Sequence, residues 1–284
     1  MSYSNLLALS LAILISSFSI YHVQSSYLSS VIGCTAEDTC LGTTTPRCLP
    51  VPGGIPCTLD YQYNESGICG CSTQSCTPYN GNNNTALPQV LLIGDSISLG
   101  YQSAVTNALH NIMEVIHTPG NAGNTNWGNL CLLDWLSSNS INRWDYITVN
   151  FGLHDLAYPD NEHISLQNYT VLLTSFFNLL YKNIKPSAKI IWNTITPVPT
   201  NPNSSCVLLP GRIETNVLAY NAAAQSVLQK LPFHVRTCDL HSIITNYCGV
   251  GYSTCNITQC GGPHFTDTGF TMLGNAVVNC IQNA

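Results

Sequence analysis

The chain of 284 residues carries a formal net charge of −6, and 45% of its residues are hydrophobic while only 8% are charged. Its 8 lysines and arginines are scattered and form no stripe that could neutralise phosphates, which excludes nucleic acid as an expected partner. The 14 cysteines are unusual for a cytosolic protein and favour an oxidising compartment.

The N-terminal residues have the pattern of a secretory signal peptide. An apolar stretch of about 13 residues runs from Leu6 to Phe18; it is too short to span a bilayer of ~30 Å but is typical of a signal-peptide core. Val23 and Ser25 are compact enough for cleavage after Ser25. A positively charged start is missing, so a buried core helix is the alternative. We predict a signal peptide over 1–25 and a secreted, extracellular protein without a membrane span.

Glycosylation sequons agree with export. We expect N-linked glycans, since Asn-X-Ser/Thr occurs five times, although such sequons are also common by chance. The sequons begin at Asn64, Asn83, Asn168, Asn203 and Asn256.

The cysteines fall into two groups of seven, one between Cys34 and Cys76 and the other between Cys131 and Cys280. Because both numbers are odd, pairing of all the cysteines requires at least one disulfide between the groups. We expect disulfides rather than a metal site, because the spacing of the cysteines near residue 70 does not fit paired zinc knuckles.

Three segments with different composition follow the predicted signal peptide. Residues 26–79 are dense in Cys, Gly, Pro and Thr and predict a small disulfide-stapled module, and the polar residues 80–88 predict a linker. In 89–284, apolar runs of strand length alternate with stretches of helical spacing, which predicts a parallel sheet covered on both faces, a three-layer doubly wound α/β domain. The predicted strands are 90–93, 112–116, 146–151, 189–195 and 233–238, and the predicted helices are 98–110, 127–138, 165–184, 212–230 and 267–281.

Polar and glycine-rich segments follow the first three predicted strands. Gly94-Asp95-Ser96 follows the first, where a serine hydroxyl would lie beside a helix N-terminus that favours a developing oxyanion; the alternative is that Ser96 is a helix cap. Asn121-Ala122-Gly123 follows the second strand and Gly152-Leu153-His154-Asp155 the third. His264 precedes the last predicted helix, from which it can reach the same edge of the sheet.

In order and spacing, these four segments resemble the sequence blocks of the SGNH (GDSL) hydrolase family. The resemblance covers 89–284 and implies a flavodoxin-like fold and a serine esterase that needs neither cofactor nor metal. It implies that Ser96 is the nucleophile and His264 its base. It also implies an oxyanion hole formed by the amides of Ser96 and Gly123 together with His154.

The sequence departs from the family pattern at two positions. The third block normally has Asn where this chain has His154; a neutral imidazole can also donate one hydrogen bond, and the alternative is that His154 only orders its loop. The aspartate that the family places two or three residues before the histidine is replaced by Gly261 and Gly262. Loss of such a carboxylate can lower the rate by up to ~10⁴.

Three outcomes of the missing aspartate stay open. A backbone carbonyl near Gly261 could orient His264, which we prefer; Asp239 or Asp267 could replace the carboxylate; or activity has been lost. Asp267 is more simply a first-turn residue favoured by the helix dipole.

The remaining candidates are given structural roles. Asp95 and Asp155 lie at strand ends, where carboxylates bind loop amides, and His117 is either packed or a substrate contact.

The predicted function is hydrolysis of carboxylic esters on a small molecule or a glycan, with acetyl or short acyl groups on extracellular glycans favoured. The alternatives are an inactive binding protein of the same fold and an acyltransferase.

Overall fold

The computed structural model describes Cys76 and residues 86–136, 143–158, 163–199, 211–252, 254–259 and 263–284. The predicted signal peptide over 1–25 lies outside the described residues. So do the predicted module 26–79, apart from Cys76, and the predicted linker 80–88, apart from its last three residues.

Five parallel strands form one sheet. The strands are β1 (Gln89–Ile93), β2 (Glu114–His117), β3 (Tyr146–Val149), β4 (Lys189–Asn193) and β5 (Arg236–Cys238). Their order, β2-β1-β3-β4-β5, is the flavodoxin-like order, in which ligands bind at the topological switch point between β1 and β3. Leu91 in the centre of β1 pairs with Ile116 on one side and Ile147 on the other.

Two groups of helices cover the sheet. The helices are α1 (Ser96–Ala108), α2 (Thr125–Leu136), α3 (Leu166–Lys182), α4 (Glu214–Leu228), α5 (Leu240–Cys248) and α6 (Asp267–Gln282). Helix α6 packs against α1 and α5, whereas α3 packs against α2 and α4. Every residue of β1 is buried, as expected for a strand covered on both faces. The predicted doubly wound α/β architecture is therefore confirmed.

Two departures from the prediction, one strand boundary and one additional helix, have local reasons. The second strand starts at Glu114 rather than at residue 112, because the amides of Ile112 and Met113 donate back to the Leu109 carbonyl. Asn111, with φ of 61°, makes that turn. Helix α5 was not predicted, because it follows β5 directly and has only 9 residues.

Three disulfides join cysteines of the described residues: Cys76–Cys131, Cys238–Cys280 and Cys248–Cys255. The first joins the two cysteine groups, as the odd counts require. Within the described ranges no helix is both long and apolar enough to cross a membrane.

Candidate active site

The turn after β1 presents Ser96 at the carboxyl end of the sheet. Asp95 caps α1, its Oδ1 accepting from the Ile97 amide at 2.9 Å, so Ser96 is the first helical residue. A side chain at position 94 would place its Cβ only 2.7 Å from Ser98 Oγ, which explains the glycine there. The Gly94 carbonyl accepts from the Ala122 amide at 2.9 Å. The turn is therefore tied both to α1 and to the loop after β2.

A short antiparallel bridge holds His264 in place. Thr258 pairs with Phe265, whose side chain is fully buried, and the Gln259 amide donates to the His264 carbonyl at 2.9 Å. Thr266 then caps α6, so the backbone is fixed on both sides of the histidine. His264 Nε2 lies 2.8 Å from Ser96 Oγ, which is the distance that proton transfer from a nucleophilic hydroxyl requires.

The surroundings of His264 favour its neutral form. Burial lowers the pKa of the imidazole; the charge of Asp95 raises it, and Arg212 and His154 lower it further. The net effect is a pKa below the ordinary value. The ring is therefore ready to accept a proton.

No Asp or Glu within the described ranges forms a hydrogen bond or ion pair with His264. Asp239 caps α5, where its Oδ1 accepts from the Ser242 amide at 3.0 Å and its Oδ2 from the Ser242 hydroxyl at 2.6 Å. Asp267 is the exposed first residue of α6. The two replacements considered for the family aspartate therefore form no hydrogen bond or ion pair with His264, and Gly261 lies outside the described residues.

Asp95 acts on His264 through space. Its side chain is fully buried, and its Oδ2 has no hydrogen-bond partner among the described residues. Desolvation raises the pKa of this carboxyl group, while His154, the Ile97 amide, His264 and Arg212 oppose the rise. Besides capping α1, Asp95 is thus the carboxylate whose charge raises the pKa of His264.

The amide of Gly123 is already engaged. Gly123 has φ of 61°, and its N–H donates to Asn121 Oδ1 at 2.8 Å. Asn121 is exposed, and its Nδ2 lies 3.5 Å from His154 Nε2. The Asn121 side chain therefore contacts two of the groups that the family resemblance assigns to an oxyanion hole. The amide of Ser96, at the first helical position, has no acceptor within the helix.

Two anchors hold the loop that carries His154. On one side Asp155 accepts from the Thr125 amide at 3.0 Å and from the Thr125 hydroxyl at 2.5 Å, which ties the loop to the start of α2. Burial raises the pKa of Asp155 to about 7. On the other side Arg212 Nε donates to the Leu153 carbonyl at 2.8 Å. The sequence interpretation gave Arg212 no role, although a lone cation just before a helix that starts at the strand ends was a usable signal.

His117 is packed rather than open to a substrate. It is 8% exposed, its Nε2 lies 2.6 Å from the buried Ser98 hydroxyl, and its Nδ1 lies 2.7 Å from the Thr118 carbonyl. These contacts fit the structural alternative considered for this residue.

Comparison with known proteins extends the fold assignment. No model of a protein family matches the sequence, and no curated protein matches it. Among solved structures, a carbohydrate acetylesterase family member from Sinorhizobium meliloti shares 15% identity over 69% of this chain and 98% of its own, with a TM-score of 0.53. A candidate arylesterase from Agrobacterium tumefaciens shares 14% over 69% and 99%, with a TM-score of 0.52. A catalytic mutant of an acetylxylan esterase from Geobacillus stearothermophilus shares 13% over 70% and 96%, with a TM-score of 0.50. At these identities the likeness is one of fold.

Proposed function

We propose that the chain is a serine hydrolase of the SGNH type that cleaves carboxylic esters, with Ser96 as the nucleophile and His264 as the base. The observation that carries the proposal is the 2.8 Å contact between Ser96 Oγ and His264 Nε2. This pair lies beside the topological switch point between β1 and β3, where doubly wound sheets bind their ligands. The esterases among the structural neighbours support the same chemistry.

In the acylation step, Ser96 Oγ attacks the acyl carbon while His264 Nε2 takes the hydroxyl proton. The tetrahedral intermediate collapses when the bond from the acyl carbon to the leaving alcohol oxygen breaks, and the imidazolium returns its proton to that oxygen. Water then attacks the acyl-enzyme with His264 again as base, releasing the acid and restoring Ser96. The buried charge of Asp95, which raises the pKa of His264, stabilises the imidazolium in both steps.

The oxyanion is stabilised by the amides of Ser96 and Gly123, with His154 as a further donor. In the structure, the Gly123 amide donates to Asn121 Oδ1, so this N–H must leave Asn121 before it can donate to the oxyanion. Asn121 is exposed, so its side chain is free to turn away when an ester enters. Substrate binding therefore exchanges one acceptor for another at this amide.

The substrates we propose are acetyl or short acyl esters on extracellular glycans. The acetylxylan esterase and the carbohydrate acetylesterase among the neighbours support this class. The signal-peptide pattern supports export, and the sequon asparagine Asn256 is exposed, as a glycan acceptor must be. No cofactor takes part in the proposed reaction.

The test is turnover of p-nitrophenyl acetate by the purified protein and by matched alanine variants. Ser96→Ala and His264→Ala should each lower kcat/KM by about 10³-fold or more, because each removes a partner of the proton transfer. Ser226→Ala and His110→Ala change exposed residues outside the site and should keep the parental rate.

Labelling by a fluorophosphonate separates the nucleophile from other serines. The parent and Ser226→Ala should be labelled, and Ser96→Ala should not. Parental turnover by Ser96→Ala, or labelling that survives this substitution, would contradict the proposal. An absence of turnover in the parent would favour the binding-protein alternative.

A further inference from the structure

Arg212 lies at the rim of the proposed site and is held there by backbone contacts. Its Nε donates to the Leu153 carbonyl at 2.8 Å, the residue next to His154. Gly211, with φ of 76°, packs directly against the backbone of Tyr158, leaving no room for a side chain. The guanidinium is therefore anchored to the loop after β3 through one of its three nitrogens. Both terminal nitrogens remain for other acceptors.

No carboxylate within the described ranges pairs with Arg212. This distinguishes it from Lys185, whose Nζ lies 2.6 Å from Asp145 Oδ1. Arg212 is half-buried, and a cation in that position favours a partner of opposite charge. The charge of Arg212 also acts on His264. Burial lowers the pKa of His264, the charge of Asp95 raises it, and the charge of Arg212 lowers it again.

The site contains a cation although the chain as a whole is acidic. The sequence has a formal net charge of −6, whereas the site combines the Arg212 guanidinium with the positive end of α1 at Ser96. The carboxyl group of Asp95 is fully buried, whereas Arg212 is only half-buried, so a substrate can contact the guanidinium but not that carboxyl group. Such local fields raise the concentration of oppositely charged ligands in a site.

We propose that Arg212 determines specificity by binding a carboxylate of the substrate, so that the preferred esters are acyl groups on uronic acid residues of acidic glycans. This inference rests on the proposed function, which supplies the glycan ester. The two terminal nitrogens of a guanidinium match the two oxygens of a carboxylate in a forked pair of hydrogen bonds. One guanidinium also balances the single charge of one carboxylate.

The test compares two methyl glycosides that differ only at C6, methyl 3-O-acetylglucuronoside and methyl 3-O-acetylglucoside. Acetate release gives kcat/KM for each, and their ratio cancels any general loss of activity. The parent should prefer the uronide by about tenfold or more at low ionic strength, because a charge-assisted hydrogen bond is worth that factor. The preference should fall as salt is added.

The variants assign that preference to one side chain. Arg212→Gln should bring the ratio to about 1, and Arg212→Lys should give an intermediate ratio because it keeps the charge but loses the fork. Arg236→Gln is the matched control, since this arginine lies on β5 with its Nη1 donating to the carbonyl of Asn283 at the C-terminal end; it should keep the parental ratio. Equal ratios in the parent and in Arg212→Gln would overturn the inference while leaving ester hydrolysis intact.

A binding measurement keeps the inference testable if neither acetate ester is hydrolysed. Calorimetric titration of the Ser96→Ala protein with methyl glucuronoside and with methyl glucoside should show tighter binding of the uronide, and the Ser96→Ala/Arg212→Gln protein should lose that difference. Equal affinities for the two glycosides in Ser96→Ala would overturn the inference. Absence of acetate release by the parent would instead count against the proposed function.

Discussion

The imidazole of His264 lies half-buried between Ser96 and a set of charges of both signs. Burial lowers its pKa, the carboxyl group of Asp95 raises it, and Arg212 and His154 lower it. Since the proposed base must be neutral to accept the proton of Ser96, a lowered pKa extends the working range of the pair toward acid.

We expect the acid limb of kcat/KM for p-nitrophenyl acetate to have its midpoint below the ordinary histidine value of about 6.5. The sign follows from the direction of the shift: a group with a lowered pKa loses its proton at a lower pH, so the base is competent there. Arg212→Gln removes a charge that lowers the pKa of His264, and the limb should therefore move to higher pH.

A pH series of initial rates between about 4 and 9, spanning the ordinary histidine pKa, measures both midpoints. Lys230→Gln, at an exposed position just after α4, is the control and should leave the limb where the parent has it. A parental midpoint above that of free histidine, or a shift toward acid in Arg212→Gln, would contradict the assignment of His264 as the base.

Sequence reasoning could find the contact between Ser96 and His264 but not all the side chains that surround it. Ser96 and His264 follow from local motifs, because each lies in a turn whose residues carry the signal. Asn121 lies in the Asn-Ala-Gly segment that the sequence singles out, but the contact of its side chain with the Gly123 amide was not predicted. Arg212 lies outside the four segments, and its Nε bonds the Leu153 carbonyl in the loop after β3. The Arg212 contact depends on which loops meet above the sheet, which one sequence does not specify.

At the scale of elements, the alternation of strands and helices was predictable because buried parallel strands are apolar throughout. The bounds of the helices were less predictable, because they depend on caps. Helix α1 begins at Ser96, two residues before the predicted start, because Asp95 accepts from the Ile97 amide. Helix α5 begins at Leu240, directly after β5 and its Asp239 cap. No polar linker separates this helix from β5, so the sequence does not mark its start.

The packing of α1 on α6 sets the distance between Ser96 Oγ and His264 Nε2, because Ser96 begins α1 and His264 lies just before α6. Glycines allow the two helices to approach closely. A Cβ at Gly274 would lie 2.6 Å from the Cβ of Ala104 and 3.2 Å from the Tyr101 carbonyl oxygen. A Cβ at Gly100 would overlap the ring of Phe270.

Gly274→Ala should therefore destabilise the protein by about 1–3 kcal/mol, because the added methyl group forces the helices apart. It should also slow labelling of Ser96 by a fluorophosphonate, since the Oγ and Nε2 atoms separate. Denaturant unfolding and labelling rates measure the two effects. Asn275→Ala, at an exposed position on the same helix, is the control. If the Gly274→Ala protein is as stable as this control, the close packing of α1 on α6 does not contribute to stability and the prediction is wrong.

At the scale of the molecule, two of the three disulfides among the described residues reinforce the side of the sheet that holds Ser96 and His264. Cys238–Cys280 joins the end of β5 to the last turn of α6, and Cys248–Cys255 closes the segment that leads toward His264. Cys76–Cys131 ties α2, in the other helix layer, to a cysteine of the N-terminal group. The first two bridges differ in the length of chain that they close, with sequence separations of 42 and 7.

This difference predicts an order of stability losses. In the chain-entropy model, a bridge stabilises by restricting the unfolded chain and does so more for a longer loop, by about 4 kcal/mol for Cys238–Cys280 and about 2 kcal/mol for Cys248–Cys255. We therefore expect the double variant Cys238→Ala/Cys280→Ala to unfold at lower denaturant concentration than Cys248→Ala/Cys255→Ala, measured without reductant. Burial of Cys238, which is 2% exposed, adds a cavity cost in the same direction. The reverse order would mean that the short bridge stabilises the native loop before His264 itself, and labelling of Ser96 would then be slower in Cys248→Ala/Cys255→Ala.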